Sequence, residues 1–308
     1  MSITSTFKCY SGVLALVISA ILPANAQDSV SNEALRAEAG SVLAESSIAP
    51  KRSATGAKED DITKFGFPVG EELIYRIYWG IFPVGLTTMK AEWTEENGKK
   101  LLAIRYKTHT NRLFDAIYPV DDTAESIVDP SNFLPTRFTF SLTRRKGQNA
   151  RTVTFDREKL KAIMVTKSTG ETNYVDIAAD TRDIISLLYN ERSLKQKPGQ
   201  ENKYRFMADS GLLDMRLKMY NYEDISLNTF GKVSCLSMEP FAKLDTLLIE
   251  DGKVMSWVAK ERCLATKMEI KAPLASVRIE LDEVRGPGDD SWSRAMQKKH
   301  GANSDKTN

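Results

Sequence analysis

Few residues in this chain have the type and spacing that chemistry needs. There are two histidines, His109 and His300. A Ser-His-Asp or Cys-His arrangement would have to use His109, at the end of the alternating stretch YKTHTNR. No G-x-S-x-G elbow is present. Acidic pairs occur at Asp121-Asp122 and at Asp180 and Asp183. Paired carboxylates serve acid–base work on glycans or hold calcium. At these positions the local reading is different. Asp121 and Asp122 follow Pro119 at a turn, where Asp satisfies backbone donors. Asp180 and Asp183 flank the start of a helical pattern, where a carboxylate caps free N–H groups. Zinc and copper sites lean on His and Cys, and such residues are scarce. The sequence is therefore read as non-enzymatic, with no catalytic residue, metal or cofactor assigned.

Cys235 and Cys263 remain once the leading segment is set aside, and in an oxidising compartment they could form a disulfide. The compartment is read from the N-terminus. Lys8 is followed by the apolar run Gly12 to Leu22 and by Ala24-Asn25-Ala26, an A-x-A cleavage signal. This predicts a signal peptide over 1–26, cleavage before Gln27 and a periplasmic location. No later stretch is long and apolar enough to form a membrane helix. With 43 Lys+Arg against 41 Asp+Glu, no basic field draws in nucleic acid. Short basic runs, Arg144-Arg145-Lys146 and Arg192 with Lys195 and Lys197, read as solvated loop ends.

The elements that must position these residues are strands. Residues 27–63 are small, polar and lack aromatics, and are expected to form a flexible leader. Residues 64–285 alternate apolar and polar almost throughout and read as one β-rich domain. Residues 286–308 are expected to be a disordered tail, with Trp292 its one sticky residue. Glu96-Asn97-Gly98 is a hairpin signal between two strong strands. Residues 178–196 break the rhythm, placing Ile184, Ile185, Leu188 and Tyr189 at helical spacing, with Thr181 or Asp180 as cap. The fold class is mainly β: an antiparallel meander forming a strongly curved sheet, half-barrel or barrel, with one principal helix.

The first strand, in GEELIYRIYWGIFPVG, carries large apolar groups on both faces. Leu73, Tyr75, Ile77 and Trp79 make the more apolar face, assigned to the interior, with Gly80 and Gly85 bracketing a turn held by Pro83. A concave sheet of this composition could hold an acyl chain, with Tyr75, Ile77, Trp79, Ile184, Leu188, Met215 and Met219 lining the cavity and the helix as plug or lid. A filled core is the alternative.

GEELIYRIYWGIFPVGLTTMKAE, then FDAIYPVDDTAESIVDPSNFLPTRF, VTFD, TRDIISLLYNER and DGKVMSWVAKERCLATKMEIKAPLASVRIEL follow one another in this chain. In content and order these blocks resemble the exported bacterial family known as domain of unknown function 3108. The likeness spans about Phe67 to Leu281. The chain departs from it at Ala259-Lys260-Glu261-Arg262-Cys263, where the family carries a shorter, more acidic turn. The resemblance implies an exported, mostly antiparallel β protein and no particular activity. The expected role is an envelope protein that binds a lipid, another hydrophobic or amphipathic ligand, or a protein partner. The rival readings are a scaffolding protein with a filled core and a carboxylate-based glycan hydrolase.

Overall fold

The computed structural model describes residues 65–115, 119–144, 147–208, 211–243, 248–249, 254–271, 275–287, 291–292 and 294–295. The expected signal peptide, the leader, Arg145-Lys146 and His300 lie outside these residues.

The alternation becomes strand as expected. The first arm is a meander: β1 (Glu72–Trp79), β2 (Phe82–Glu96), β3 (Lys99–Thr110), β4 (Asp121–Asp129), β5 (Leu134–Arg144), β6 (Gly147–Asp156), β7 (Lys161–Thr166) and β8 (Thr172–Asp176). A one-turn helix, α1 (Arg112–Asp115), interrupts it between β3 and β4. The chain then passes through β9 (Arg182–Asp183) and the principal helix α2 (Ile184–Glu191). The second arm follows: β10 (Glu201–Ala208), β11 (Gly211–Leu227), β12 (Gly231–Lys243), β13 (Leu248–Ile249), β14 (Val254–Ala259), β15 (Ala265–Ile270) and β16 (Val277–Arg285). All of them join one 16-stranded sheet, in the order β8 to β1, then β16, β15, β14, β12, β11, β10 and β9, with β13 paired to β12 off this path. Every pairing is antiparallel except the short parallel contact of β9 with β10.

Connectivity makes this sheet curl. β8 and β9 are its two ends, yet only residues 177–181 join them. Six Cα–Cα steps span about 20 Å at most, so the two ends must come close. They do so with the far arm laid over the near one: Phe206 and Met207 of β10 share a core with Phe138 and Phe140 of β5 and Val153 and Phe155 of β6. The helix α2 sits within that core, burying Ile184, Ile185, Leu187 and Tyr189. A second core gathers the inner faces of β1, β14, β15 and β16 with the adjoining ends of β11 and β12. The architecture is thus a strongly curved antiparallel sheet wrapped around one principal helix.

Several local expectations are corrected. The helix starts at Ile184 and not directly after Asp180 or Thr181, and its cap is Asp183. Asp183 Oδ1 accepts from the Ile185 and Ser186 amides, both at 2.9 Å. Thr181 is spent earlier, accepting from the Ala178 amide in a turn, and Arg182-Asp183 is held as strand against Phe206 and Met207. In GIFPVG the turn is tighter than expected. Gly80 and Ile81 alone make it; Phe82 already belongs to β2, and Pro83 lies opposite Tyr78 at a bulge, a strand position that tolerates proline.

Trp292, expected in a disordered tail, is only 3% exposed and packs edge-on to Phe230, ring centroids 4.8 Å apart, in the second core. Of the two states left open for Cys235 and Cys263, the structure has the unbridged one: both thiols are free. Cys235 lies mid-strand in β12, facing the Thr266 hydroxyl at 3.3 Å. Cys263 sits in the turn after β14 and points at the Leu194 carbonyl, 3.9 Å away. Each side chain is thus turned to a different neighbour.

Candidate functional site

The seven residues expected to line one cavity fall in four places. Tyr75, Ile77 and Trp79 join the second core, as their alternation requires. Ile184 and Met215 belong to the first. Met219 is fully buried with Leu236 and Met238 in a small separate cluster. Leu188, adjoining buried Leu187 and Tyr189, turns to the exposed side of α2. No single surface is formed by all seven.

The residues considered for chemistry are also separated. His109 is exposed on β3, opposite Asp121 in register. Asp122 is buried and accepts from the Thr143 amide at 3.1 Å. Asp180 is exposed, while Asp183 is fully buried. Besides the two amides, the Asp183 carboxylate accepts from the Ser126 hydroxyl at 2.6 Å and the Ser186 hydroxyl at 3.0 Å. Burial pushes its carboxyl above the ordinary range, and these bonds oppose that shift without cancelling it. Asp183 therefore ties the helix to β4, a structural duty.

Two features were not anticipated. The first is a buried charge node between the two cores. Glu71, just before β1, is 0% exposed. Arg192, just after α2, grips it with two bonds, at 2.5 and 3.2 Å. Arg262, from the turn after β14, meets the other side of the same carboxylate. The guanidinium of Arg192 also lies over the rings of Phe67 and Tyr189, 4.9 and 5.3 Å from their centroids. Burial works against the charge of Arg192, but the Glu71 carboxylate more than offsets it and holds the guanidinium above its ordinary pKa. Burial likewise raises the Tyr75 and Tyr189 hydroxyls beside it. The sequence carried a trace of this node, since Glu71 and Arg192 lie in or beside the blocks that carry the resemblance and Arg262 marks the departure from it. Their convergence is a tertiary fact.

The second feature is an apolar end. Ile81, Phe82 and Leu113 are 83%, 58% and 74% exposed. All three lie where β1, β2 and β3 end or begin. Asn111 binds them together: its amide donates to the Val84 carbonyl at 2.9 Å and its side chain to the Pro83 carbonyl at 2.6 Å. The Trp79 and Phe114 rings meet edge-on at 6.5 Å. Gly80 anchors the turn on the other side, donating to the Ser276 carbonyl at 2.9 Å. The signal in the sequence was two bulky apolar residues at a turn, where polar residues are usual.

These features define a class: a curved antiparallel β protein plugged by one helix, with an apolar patch at one end of its sheet. The chain belongs to the DUF3108 family of proteins of unknown function, whose model matches residues 74–282. It is similar in structure to a β-barrel-like protein of domain of unknown function DUF1849 from Brucella abortus, at 11% identity and a TM-score of 0.47, covering 72% of this chain and 99% of that one. A DUF1329 family protein from Desulfovibrio piger aligns over 71% of this chain and 86% of its own, at 10% identity and a TM-score of 0.16. No curated protein matches the sequence. Among the described residues, no helix is long and apolar enough to cross a membrane.

Proposed function

We propose that this is an exported, non-enzymatic protein of the bacterial periplasm that binds a hydrophobic or amphipathic partner, and that it does so at the apolar end of the sheet. One observation carries the reading: Ile81, Phe82 and Leu113 are all exposed at one end of the sheet, on a hairpin and a helix turn that Asn111 braces together. Burying such a side chain is worth about 1.5–3 kcal/mol, so leaving three exposed is costly unless something covers them in use. The seven residues first considered as a cavity lining are divided among separate clusters, which favours the end of the sheet over its interior. The duties found for Asp183 and Asp122 as backbone acceptors support a non-enzymatic reading over a carboxylate-based hydrolase.

Export is tested by mass analysis of the protein recovered from the cell envelope: a chain beginning at Gln27 is expected, and an intact Met1 would reject it. Binding is tested with a fluorescent monomeric amphiphile. Wild type should bind it, and the double variant Phe82→Ser with Leu113→Ser should bind at least tenfold more weakly. Equal binding by both would remove the end of the sheet as the site.

A further inference from the structure

We propose that the partner at this end is a phospholipid bilayer surface, into which Ile81, Phe82 and Leu113 insert. The inference rests on the reading of this end as the binding site. The shape of the end points to lipid. Ile81 and Leu113 are exposed by 83% and 74%, so they project from the surface and do not line a groove. A projecting apolar point needs a medium that deforms around it, and the boundary between headgroups and acyl chains is such a medium. The point is also stiff. Asn111 ties α1 to β2 by two hydrogen bonds, and Gly80 is tied to Ser276. Little ordering is therefore left to be done on insertion.

Charge around the point fits headgroups. Arg112 directly precedes Leu113 and is exposed. Lys271 is exposed at the end of β15, in the connection to β16 that also contains Ser276. Of the nearby acids, Asp121 faces Lys107 at 4.0 Å, and Asp115 accepts a hydrogen bond from the neutral Thr110 hydroxyl at 3.1 Å. Two cations flanking an apolar point place positive charge at the depth of lipid phosphates. Trp79 and Phe114, packed edge-on behind the three inserting residues, come to the interface, where aromatic rings are favoured.

The test is co-sedimentation of the mature chain with vesicles of phosphatidylcholine, with and without phosphatidylglycerol. Wild type should sediment with the vesicles, more strongly when phosphatidylglycerol is present. Phe82→Ser with Leu113→Ser should lower the bound fraction at least tenfold. Arg112→Gln with Lys271→Gln should abolish the preference for phosphatidylglycerol. Leu160→Ser, in the β6–β7 turn at the other end of the strands, should change nothing; all variants are first shown to unfold at the wild-type urea midpoint. Failure of wild type to bind vesicles, or equal binding by the Phe82/Leu113 variant, would overturn the inference. If the monomeric amphiphile is nevertheless bound in a Phe82- and Leu113-dependent way, the lipid-surface inference falls and the binding site stands. If neither is bound, both fall. Self-association of wild type lost in the same variant, without vesicle binding, would put a second copy of the chain there and overturn the inference too.

Discussion

Glu71 and Arg192, 121 positions apart in the chain, form a two-pronged buried pair, Oε1 to Nη1 at 2.5 Å and Oε2 to Nη2 at 3.2 Å. One partner immediately precedes β1 and the other follows α2, so the pair fastens the helix to the central strand of the sheet. Glu71→Gln leaves the guanidiniums of Arg192 and Arg262 without their buried carboxylate. The expected cost is about 3–5 kcal/mol in urea unfolding. Replacing Glu71 and Arg192 together by Leu and Met should cost less than the sum of the two single changes, with a coupling of about 0.5–3 kcal/mol. Additive losses would show that the pair does not act as a unit.

Gly66 and Gly98 offer a matched comparison. Both have positive φ, 75° and 73°. A Cβ on Gly98 would meet nothing within 4 Å, whereas one on Gly66 would lie 2.1 Å from the Arg192 carbonyl oxygen. Gly98→Ala should cost about 1 kcal/mol, the backbone penalty alone. Gly66→Ala should cost clearly more, because the segment carrying Phe65 and Phe67 must move away from α2. Thermal unfolding of the two variants measures the difference, and equal losses would contradict the close approach.

Asp183 makes stability depend on pH in a defined direction. Its carboxyl is raised by burial, so the folded protein holds this proton more tightly than the unfolded chain. The contribution is full below the ordinary value of 3.8 and is lost as pH rises through the raised folded pKa. Asp183→Asn keeps a capping acceptor and removes the titration. The stability of wild type relative to this variant should therefore increase as pH falls from 7 to 4. Urea unfolding at each pH reads it directly; a constant difference would leave the shift without effect.

Trp292 buries its ring against Phe230 beyond the last strand. Trp292→Ala should destabilise by about 3 kcal/mol, in the range of buried aromatic truncations. A truncation after Pro287 should lower the melting temperature similarly. No change in either would mean that the contact is not held in solution.

The thiols should behave as two unlike sites. Cys263 is half-buried and should alkylate in the native protein; Cys235 is buried and should react only after unfolding. Both should label fully in denaturant without reductant. A mass two hydrogens short, with no labelling, would restore the disulfide.

The sheet was legible because it rests on local rules. Alternation along Leu73, Tyr75 and Ile77, and the Asn97-Gly98 turn with φ of 52° and 73°, depend on neighbours in sequence, and strands with hairpins followed from them. The principal helix was legible from the spacing of Ile184, Ile185, Leu188 and Tyr189. Its limits were not, because Arg182 and Asp183 are drawn into pairing with Phe206 and Met207, a contact periodicity cannot contain. The same reason governs the rest. Which charges meet across the chain, as Glu71, Arg192 and Arg262 do, depends on how tightly the sheet curls. So does the partition of Tyr75, Met215 and Met219 among separate clusters. Sequence alone determined the strands, their hairpins and the presence of the principal helix, through side-chain period and turn chemistry. Only the tertiary structure decided which apolar residues are covered and which, like Ile81 and Leu113, are left to solvent, because coverage is set by the neighbours that long-range packing brings.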